Sequence, residues 1–272
     1  MAQHGNLIPV YQEFLADTET PVSAYLKLRN GSYSYLLESA DGGKRWGRYS
    51  FIGLKPFIEV ISRNGDMAIR QGDKINELKD IGNPLEVLRD ISAEYKPVTV
   101  DDLPPFQGGL VGYFNYDLVR KWERLPGMKP IERDLPESIF TACRHLIVFD
   151  HFSHMIKVVV FTHHTADADL AEIYHQACRE VTRTIMTLNA PLPGSFTDDS
   201  FSLTDLGPNF QRKEFEAAVA RAKEHIVAGD AIQVVLSQKF TGQVSGEDFH
   251  LYRNLRSVNP SPYMFYLKFG DI

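Results

Sequence analysis

Cysteine is scarce in this sequence and long apolar runs are absent, and each lack excludes a class of protein. The 272 residues include 2 cysteines, Cys143 and Cys178, which we interpret as free buried thiols in a reducing compartment. No run of about twenty apolar residues is present to span a bilayer. The amino terminus from Met1 to Asn6 has neither the basic start nor the apolar centre of a signal peptide. We therefore expect a cytoplasmic protein with no membrane partner.

Positive charge is in deficit as well. The formal net charge is −6 and the isoelectric point is about 5.9, whereas binding to nucleic-acid phosphates needs a basic surface. We therefore predict no nucleic-acid partner. Hydrophobic residues make up 43% of the chain and charged residues 24%. This composition is sufficient for a real core, and the length allows one large domain or two smaller ones.

Two groups of residues look like ligand-binding motifs but lack what such motifs need. The glycine-rich segment 107–113 has no Gly-Lys-Ser/Thr ending, so we interpret it as a strand with glycines at points of close backbone approach. His151 and His154 lie in a predicted turn without a cluster of cysteines or carboxylates, and the adjacent His163 and His164 would point to opposite faces of a strand. We interpret these histidines as solvated and predict no metal ligands in this chain.

The sequence up to about residue 190 predicts antiparallel strands with few helices. Asn64-Gly65-Asp66 is typical of a hairpin turn, since Asn and Gly tolerate positive φ. Residues 191–208 are rich in Pro, Gly, Ser, Thr and Asp, so we interpret them as a linker between domains at 1–190 and 209–272. The predicted strands are 23–28, 33–38, 57–63, 67–70, 144–150 and 155–163, and the predicted helices are 85–95, with Leu85, Leu88 and Ile91 inward, and 168–188.

The segment after the linker carries the most informative pattern. A helix from about Phe210, with Asn209 as N-cap, should end at Gly229, which can take the left-handed conformation. A strand should follow, in which side chains alternate between two faces. The face that carries Gln233 suits either the lining of a polar cleft or the solvated side of an edge strand. That face holds Gln233, Val235, Ser237 and Lys239, and the opposite face holds Ile232, Val234, Leu236, Gln238 and Phe240.

Three separated segments resemble one family, the chorismate-utilising enzymes that include anthranilate synthase component I. Residues 229–239 resemble the signature that opens the family's chorismate-binding domain. Residues 35–39, followed by 48–53, resemble its regulatory segment, and residues 255–264 resemble the segment that completes its tryptophan site. The segments occur in the family's order, and the resemblance covers nearly all of the chain.

The resemblance implies a fold and an activity. The fold would be α+β, with mainly antiparallel sheets packed on one another and outer helices. The parent enzyme would be a lyase of tryptophan biosynthesis that converts chorismate and ammonia to anthranilate and pyruvate, under allosteric feedback inhibition by tryptophan. Its partners would be chorismate, tryptophan as inhibitor and a glutamine amidotransferase subunit that supplies the ammonia. Its cofactor would be Mg²⁺.

The resemblance also implies where ligands bind. Glu38 and Ser39 would accept hydrogen bonds from the ammonium group of tryptophan, and Met264 would contact the indole ring through its thioether. Arg48 would meet the ligand carboxylate, or else be an ordinary surface arginine. Gln233 would line the chorismate cleft, where its amide cannot titrate as the lysine of water-using relatives does. The residues implied for tryptophan are Glu38, Ser39, Arg48, Asn259, Pro260, Pro262, Tyr263 and Met264.

The sequence departs from the family's pattern at its end. The chain stops at Ile272 within an apolar, strand-like stretch, whereas family members continue through a second half that holds the Mg²⁺ ligands, most chorismate contacts and the catalytic histidine. We therefore expect an amino-terminal portion that is inactive alone, in which tryptophan bridges two domains by contacting Ser39 and Met264. Aminodeoxychorismate synthase component I and a non-catalytic amino-acid-binding module are the alternatives.

Overall fold

The computed structural model describes five parts of the chain, residues 3–39, 47–127, 135–165, 167–192 and 201–272. They belong to two compact units, one formed by residues 1–193 together with 256–272 and a smaller one formed by residues 194–255. The predicted boundary between domains stays a prediction, and residues 193–200 of the predicted linker lie outside the described residues. None of the described helices combines the length and the apolar content needed to cross a membrane.

Strands predominate over helices in the described residues. The strands are β1 Leu7–Leu15, β2 Tyr33–Glu38, β3 Tyr49–Arg63, β4 Asp66–Gln71, β5 Lys74–Leu78, β6 Leu110–Phe114, β7 Ser138–Asp150, β8 Met155–His163, β9 Ser202–Leu203, β10 Gly207–Pro208, β11 Phe240–Thr241, β12 Val244–Ser245 and β13 Met264–Phe269. The helices are α1 Pro21–Leu28, α2 Pro84–Glu94, α3 Leu170–Leu188, α4 Arg212–Ala228 and α5 Phe249–Val258, with a 3₁₀ helix at Tyr116–Lys121.

The large sheet is built around β3. Six of its nine strands follow the order β1-β8-β7-β3-β2-β13, and β4 lies beside β3, β5 beside β4 and β6 beside β7. All of these pairs are antiparallel. A bulge between Pro56 and Ile58 divides β3, so that its first half pairs with β2 and its second half with β4. The α+β prediction is confirmed, although the longer strands join one sheet and the remaining described strands form only two-stranded pairs.

The sheet around the first half of β3, where β3 pairs with β2 and β7, is covered differently on its two faces. One face carries Ser34, Leu36 and Ile52 and is covered by α1 and α3, which are joined where Lys27 Nζ donates to the Leu188 carbonyl at 2.6 Å. Tyr25 of α1 shares a hydrogen bond of 2.8 Å with Ser34. The opposite face holds an apolar cluster of Tyr35, Leu103, Cys143, Leu146, Val148, Val159 and Phe161. We call the first the helix-covered face.

Most of the predicted elements in the larger unit are confirmed. The hairpin turn has positive φ angles at Asn64 and Gly65, and the predicted strands 144–150 and 155–163 lie in β7 and β8, which pair with each other. In α2, Asn83 is the N-cap and Leu88 and Ile91 are buried, but Leu85 is 41% exposed, because it lies on the outer side of the first turn.

One predicted strand of the larger unit is wrong. Residues 23–28 lie in α1 instead, because local helix-start signals outweigh the strand-like composition. The Thr20 hydroxyl accepts a hydrogen bond from the Ser23 amide, and the Ser23 hydroxyl accepts one from the Thr20 amide. Pro21 occupies the first helical position. The apolar residues of this segment then face the sheet from a helix.

The glycine-rich segment forms the predicted strand in its second part, since β6 begins at Leu110 and residues 107–109 precede it. In β6, a Cβ atom on Gly112 would lie 1.8 Å from the carbonyl oxygen of Ile139 on β7. Only glycine permits this approach of the two backbones.

The smaller unit differs more from expectation. The helix is present as α4, and Gly229 ends it with φ 86°, as predicted. Gln211, not Asn209, is its N-cap; Asn209 instead accepts a hydrogen bond from the Lys239 amide at 2.8 Å. The predicted strand from Ile232 to Phe240 is wrong, because residues 231–239 have no ladder partner among the described residues and only β11 at its end is paired, with β10.

A buried polar cluster fixes α3 to β7. His145, which is 1% exposed, lies 2.7 Å from Glu180 through Nε2, and Arg144 donates to the other oxygen of Glu180 at 2.9 Å. Burial lowers the pKa of His145, partly opposed by Glu180, so the imidazole is neutral. Burial alone would raise the pKa of Glu180, but the hydrogen bond from His145 and the charge of Arg144 lower it.

This cluster predicts a loss of stability on mild acidification. A histidine titrates near about 6.5 in the unfolded chain, whereas the pKa of folded His145 is lower. Below about pH 6.5 the unfolded state therefore binds the proton more readily, and the free energy of unfolding falls. Urea unfolding from pH 8 to 5.5 should show a shallower fall for His145→Gln than for the wild type. The exposed His175 of α3 is the matched control, and equal slopes for wild type and His145→Gln would contradict the prediction.

Candidate functional site

Glu38 and Met264 meet at one end of the helix-covered face. Glu38 is the last residue of β2 and Met264 the first of β13, and the register places them directly opposite each other. Opposed residues on antiparallel strands have Cβ atoms about 5 Å apart on the same face. Both are buried, Glu38 with 3% exposure and Met264 with 9%. Two residues implied by the resemblance are thus neighbours in the structure.

The carboxylate of Glu38 has a charged partner that the sequence did not indicate. Arg256, in the last turn of α5, donates from Nε to Oε2 of Glu38 at 2.8 Å. The Glu38 side chain is 1% exposed, whereas the Arg256 side chain is 40% exposed. A buried carboxylate without compensation would cost several kcal/mol, and Arg256 supplies a compensating positive charge to Glu38.

Ser39 follows Glu38 and holds an unsatisfied hydroxyl. Its Oγ is buried and has no hydrogen-bond partner among the described residues. The Ser39 amide donates a long hydrogen bond of 3.4 Å to Ser50 Oγ, which lies 2.8 Å from Nε2 of His151. A buried hydroxyl without a partner is uncommon in folded proteins and indicates a place for a ligand or a water.

His151 is less solvated than its turn position suggests. It is half-buried beside Ser50, whereas His154 in the same turn is exposed, so the prediction of solvated histidines is wrong for His151. Burial lowers its pKa, partly opposed by the negative charges of Glu38 and Asp150. His151 is therefore a neutral polar neighbour of the site, and no sequence pattern distinguishes it from His154.

The side chain of Arg48 contacts Asp150, not Glu38. It forms a two-pronged ion pair with Asp150, with Nε 3.1 Å from Oδ1 and the η nitrogen 2.8 Å from Oδ2. Burial alone would raise the pKa of Asp150, but hydrogen bonds from Arg48 and from the Ser153 and Phe152 amides lower it to about 2. Arg48 lines a polar cavity of about 620 Å³ to which Glu38 does not contribute.

The remaining residues implied for tryptophan lie just before β13. Asn259, Pro260 and Tyr263 are exposed, Tyr263 to 75%, and Pro262 is half-buried. They connect α5 to β13 and therefore sit at the same end of the sheet as Glu38. Their side chains are available to a ligand but do not form a closed pocket.

Gln233 lies in the smaller compact unit. It is exposed and belongs to the irregular segment between α4 and β11. The alternation that set it on a polar face requires a regular strand, which this segment does not form.

The described residues do not fit a magnesium site. No three or more His, Cys, Asp or Glu side chains among them lie close enough together to hold a metal ion. Mg²⁺ prefers oxygen ligands, which among these four residue types only Asp and Glu supply. We therefore derive no catalytic step through a metal from this structure.

A separate apolar cavity of about 320 Å³ lies between α2, the connection before β6 and the sheet. Its walls carry no charged side chain, and they include Phe57, Tyr95, Cys143 and Phe161. Burial raises the pKa of Cys143 to about 12, with a smaller opposing effect of the Thr141 hydroxyl. This thiol is therefore not a nucleophile at neutral pH, and the polar site at Glu38 is the better candidate for function.

Sequence comparison identifies the class of protein. Residues 6–272 match the family described as chorismate binding enzyme, and the chain belongs to this family. The three segments that resemble the family in sequence are all within this range.

Curated proteins named anthranilate synthase component 1 resemble this chain. It is 40% identical over 284 residues to anthranilate synthase component 1 of Synechocystis sp., covering 99% of this chain and 55% of that protein. It is 37% identical over 277 residues to anthranilate synthase component 1 of Acetivibrio thermocellus, with the same two coverages of 99% and 55%. The chain spans about half the length of the curated relatives it matches.

A solved structure shares the fold. The crystal structure of anthranilate synthase component I from Streptococcus pneumoniae aligns with a TM-score of 0.64 at 26% sequence identity. The alignment covers 92% of this chain and 53% of that chain. The sequence and structure comparisons therefore agree on the family.

Proposed function

We propose that this chain is the amino-terminal part of an anthranilate synthase large subunit. The enzyme would convert chorismate and ammonia to anthranilate and pyruvate in tryptophan biosynthesis. The observation that carries the proposal is 37–40% identity, over almost the whole chain, to proteins named anthranilate synthase component 1. The same names favour this activity over aminodeoxychorismate synthesis and over a module without catalysis. The two free cysteines support a cytoplasmic enzyme.

Tryptophan would act as a feedback inhibitor at the end of the β2–β13 pair. Glu38 supplies a buried carboxylate for the ligand's ammonium group, and Ser39 supplies a hydroxyl that lacks a partner among the described residues. Met264 supplies the thioether opposite Glu38. Because β13 is hydrogen bonded to β2 within one sheet, the residues proposed for tryptophan on these two strands belong to one compact unit. Asn259, Pro260, Pro262 and Tyr263 would complete the site.

The proposed catalysis also requires an ammonia source, a chorismate cleft and Mg²⁺. Ammonia would come from a glutamine amidotransferase subunit, and Gln233 would line the chorismate cleft. Mg²⁺, when bound, would neutralise the carboxylate of chorismate as a Lewis acid. Since the described residues do not fit this ion, its ligands would come from the half of the relatives' length that this chain does not span.

Assay of two polypeptides tests the activity. The complete polypeptide, supplied with chorismate, ammonia and Mg²⁺, should produce anthranilate, which is followed by its fluorescence. The 272-residue chain alone should produce none, because its described residues hold no metal-ligand cluster. An aminodeoxychorismate product from the complete polypeptide would favour the alternative, and turnover by the 272-residue chain would contradict the assignment of catalysis to the missing half.

Two substitutions test the regulatory site. In the complete enzyme, Ser39→Phe should fill the space beside Glu38, and Met264→Thr should remove the thioether contact at a cost of about 1–3 kcal/mol in ligand binding. Both variants should keep most of their activity while losing inhibition by tryptophan. Inhibition constants are the measurement. Wild-type constants in both variants would mean that tryptophan binds elsewhere.

A third substitution tests the cleft. Gln233→Lys in the complete enzyme should weaken ammonia-dependent synthesis and allow some addition of water, because an amide is replaced by a titratable amine near the carboxylates of chorismate. Product analysis by chromatography separates anthranilate from isochorismate-like products. If yield and products match the wild type, Gln233 does not face chorismate.

A further inference from the structure

The ion pair between Glu38 and Arg256 joins one buried and one partly exposed side chain. Glu38 is buried, while the Arg256 side chain keeps 40% of its surface exposed. The contact uses Nε of Arg256, and no other hydrogen bond of this side chain to the described residues is present. An arginine has five N–H donors, so the donors of the two η nitrogens remain for a ligand.

We propose that Arg256 binds the carboxylate of the α-amino acid whose ammonium group Glu38 receives. The inference rests on the proposed function and specifies the ligand class, a free α-amino acid with both charges. Arg256 would be a specificity-determining residue rather than a catalytic one.

The charges of the pair and of the ligand are complementary. Glu38 and Arg256 together carry no net charge, and they place a carboxylate beside a guanidinium at 2.8 Å. The zwitterionic end of an α-amino acid likewise places an ammonium beside a carboxylate. When the ammonium group of the ligand lies at Glu38 and its carboxylate at Arg256, every charge has a partner of opposite sign. An amine or an amide would neutralise Glu38 but leave the guanidinium donors unused.

Arg48, the arginine that the resemblance implies for this role, is already occupied. Its fork makes two contacts with Asp150, and its guanidinium lies 4.8 Å from the ring centre of Tyr49. Binding a ligand carboxylate would break a charge-assisted pair that holds the pKa of Asp150 at about 2. Arg256 needs no such rearrangement.

Two neighbours support the same orientation of the ligand. The Ser39 hydroxyl is buried without a partner among the described residues, and it adjoins Glu38. It can accept from the ammonium group. His151, held by Ser50, is neutral because burial lowers its pKa, so it does not repel the ammonium group. The cation of the site is therefore Arg256.

Calorimetric titration of the complete enzyme with two ligands tests the proposal. The ligands are L-tryptophan and L-tryptophan amide, which share the indole and the ammonium group but differ in the carboxylate. At about pH 6.5 most of the amine of both is protonated. The wild type should bind tryptophan about 10- to 100-fold more tightly than the amide. In Arg256→Gln this ratio should approach one, because tryptophan binding falls to the level of the amide.

Matched variants make the result specific. Arg48→Gln should keep the wild-type ratio, since its side chain serves Asp150. Should Arg256→Gln fail to fold because Glu38 loses its partner, Arg256→Lys keeps a cation beside Glu38 but lacks the planar fork, and its ratio should fall several-fold. Thermal unfolding of each variant establishes that it is folded.

The outcomes separate the inference from the function on which it rests. If the ratio is unchanged in Arg256→Gln, the role of Arg256 is overturned, but tryptophan still binds the enzyme. Arg256→Lys decides the question in the same way if the glutamine variant does not fold. A lowered ratio in Arg48→Gln alone would return the role to Arg48. A wild type that binds neither ligand overturns the regulatory part of the proposed function and this inference with it.

Discussion

The antiparallel ladder between β3 and β7 is the constraint on which the larger unit depends. β3 is 15 residues long and is paired with β7 along nearly its whole length. The bulge between Pro56 and Ile58 lets one strand serve two groups of neighbours, β2 and β13 on one side of the bulge and β4 and β5 on the other. The register of β3 with β2, and of β2 with β13, then decides which side chains meet at Glu38.

Charged groups in this unit are buried only where each has a specific partner. Glu38 is paired with Arg256, Asp150 with Arg48, and Glu180 with both His145 and Arg144. The Glu180 cluster holds α3 against the sheet. Two of these clusters include or adjoin a buried polar atom that the described residues leave unsatisfied, Ser39 Oγ beside Glu38 and Arg144 Nε beside Glu180. The Glu38 cluster is the functional candidate because it also adjoins Met264, which lies opposite Glu38 on β13.

The sequence predicted those features of the fold that depend on a few adjacent residues better than those that depend on contacts between distant residues. Apolar periodicity located α3, and Asn-Gly located the hairpin turn, because both signals are contained in a few adjacent residues. The same local reasoning missed α1, where capping by Thr20 overrides composition, and it overpredicted the strand after Gly229, which needs a neighbouring strand. The functional importance of Glu38 came from family resemblance. Its pairing with Arg256 could not come from spacing, because register between distant strands and helices is a property of the folded chain.

The discontinuous make-up of the larger unit has a consequence for synthesis on the ribosome. β2 and the β13 strand that covers its edge are separated by more than two hundred residues. At about 5–20 residues per second, the edge of β2 waits on the order of 10–50 s for its partner. During that interval the nascent sheet presents an unpaired edge, which can pair with another nascent chain, and Glu38 has no Arg256. The nascent chain is therefore exposed to pairing through this edge during the interval between the synthesis of β2 and that of β13.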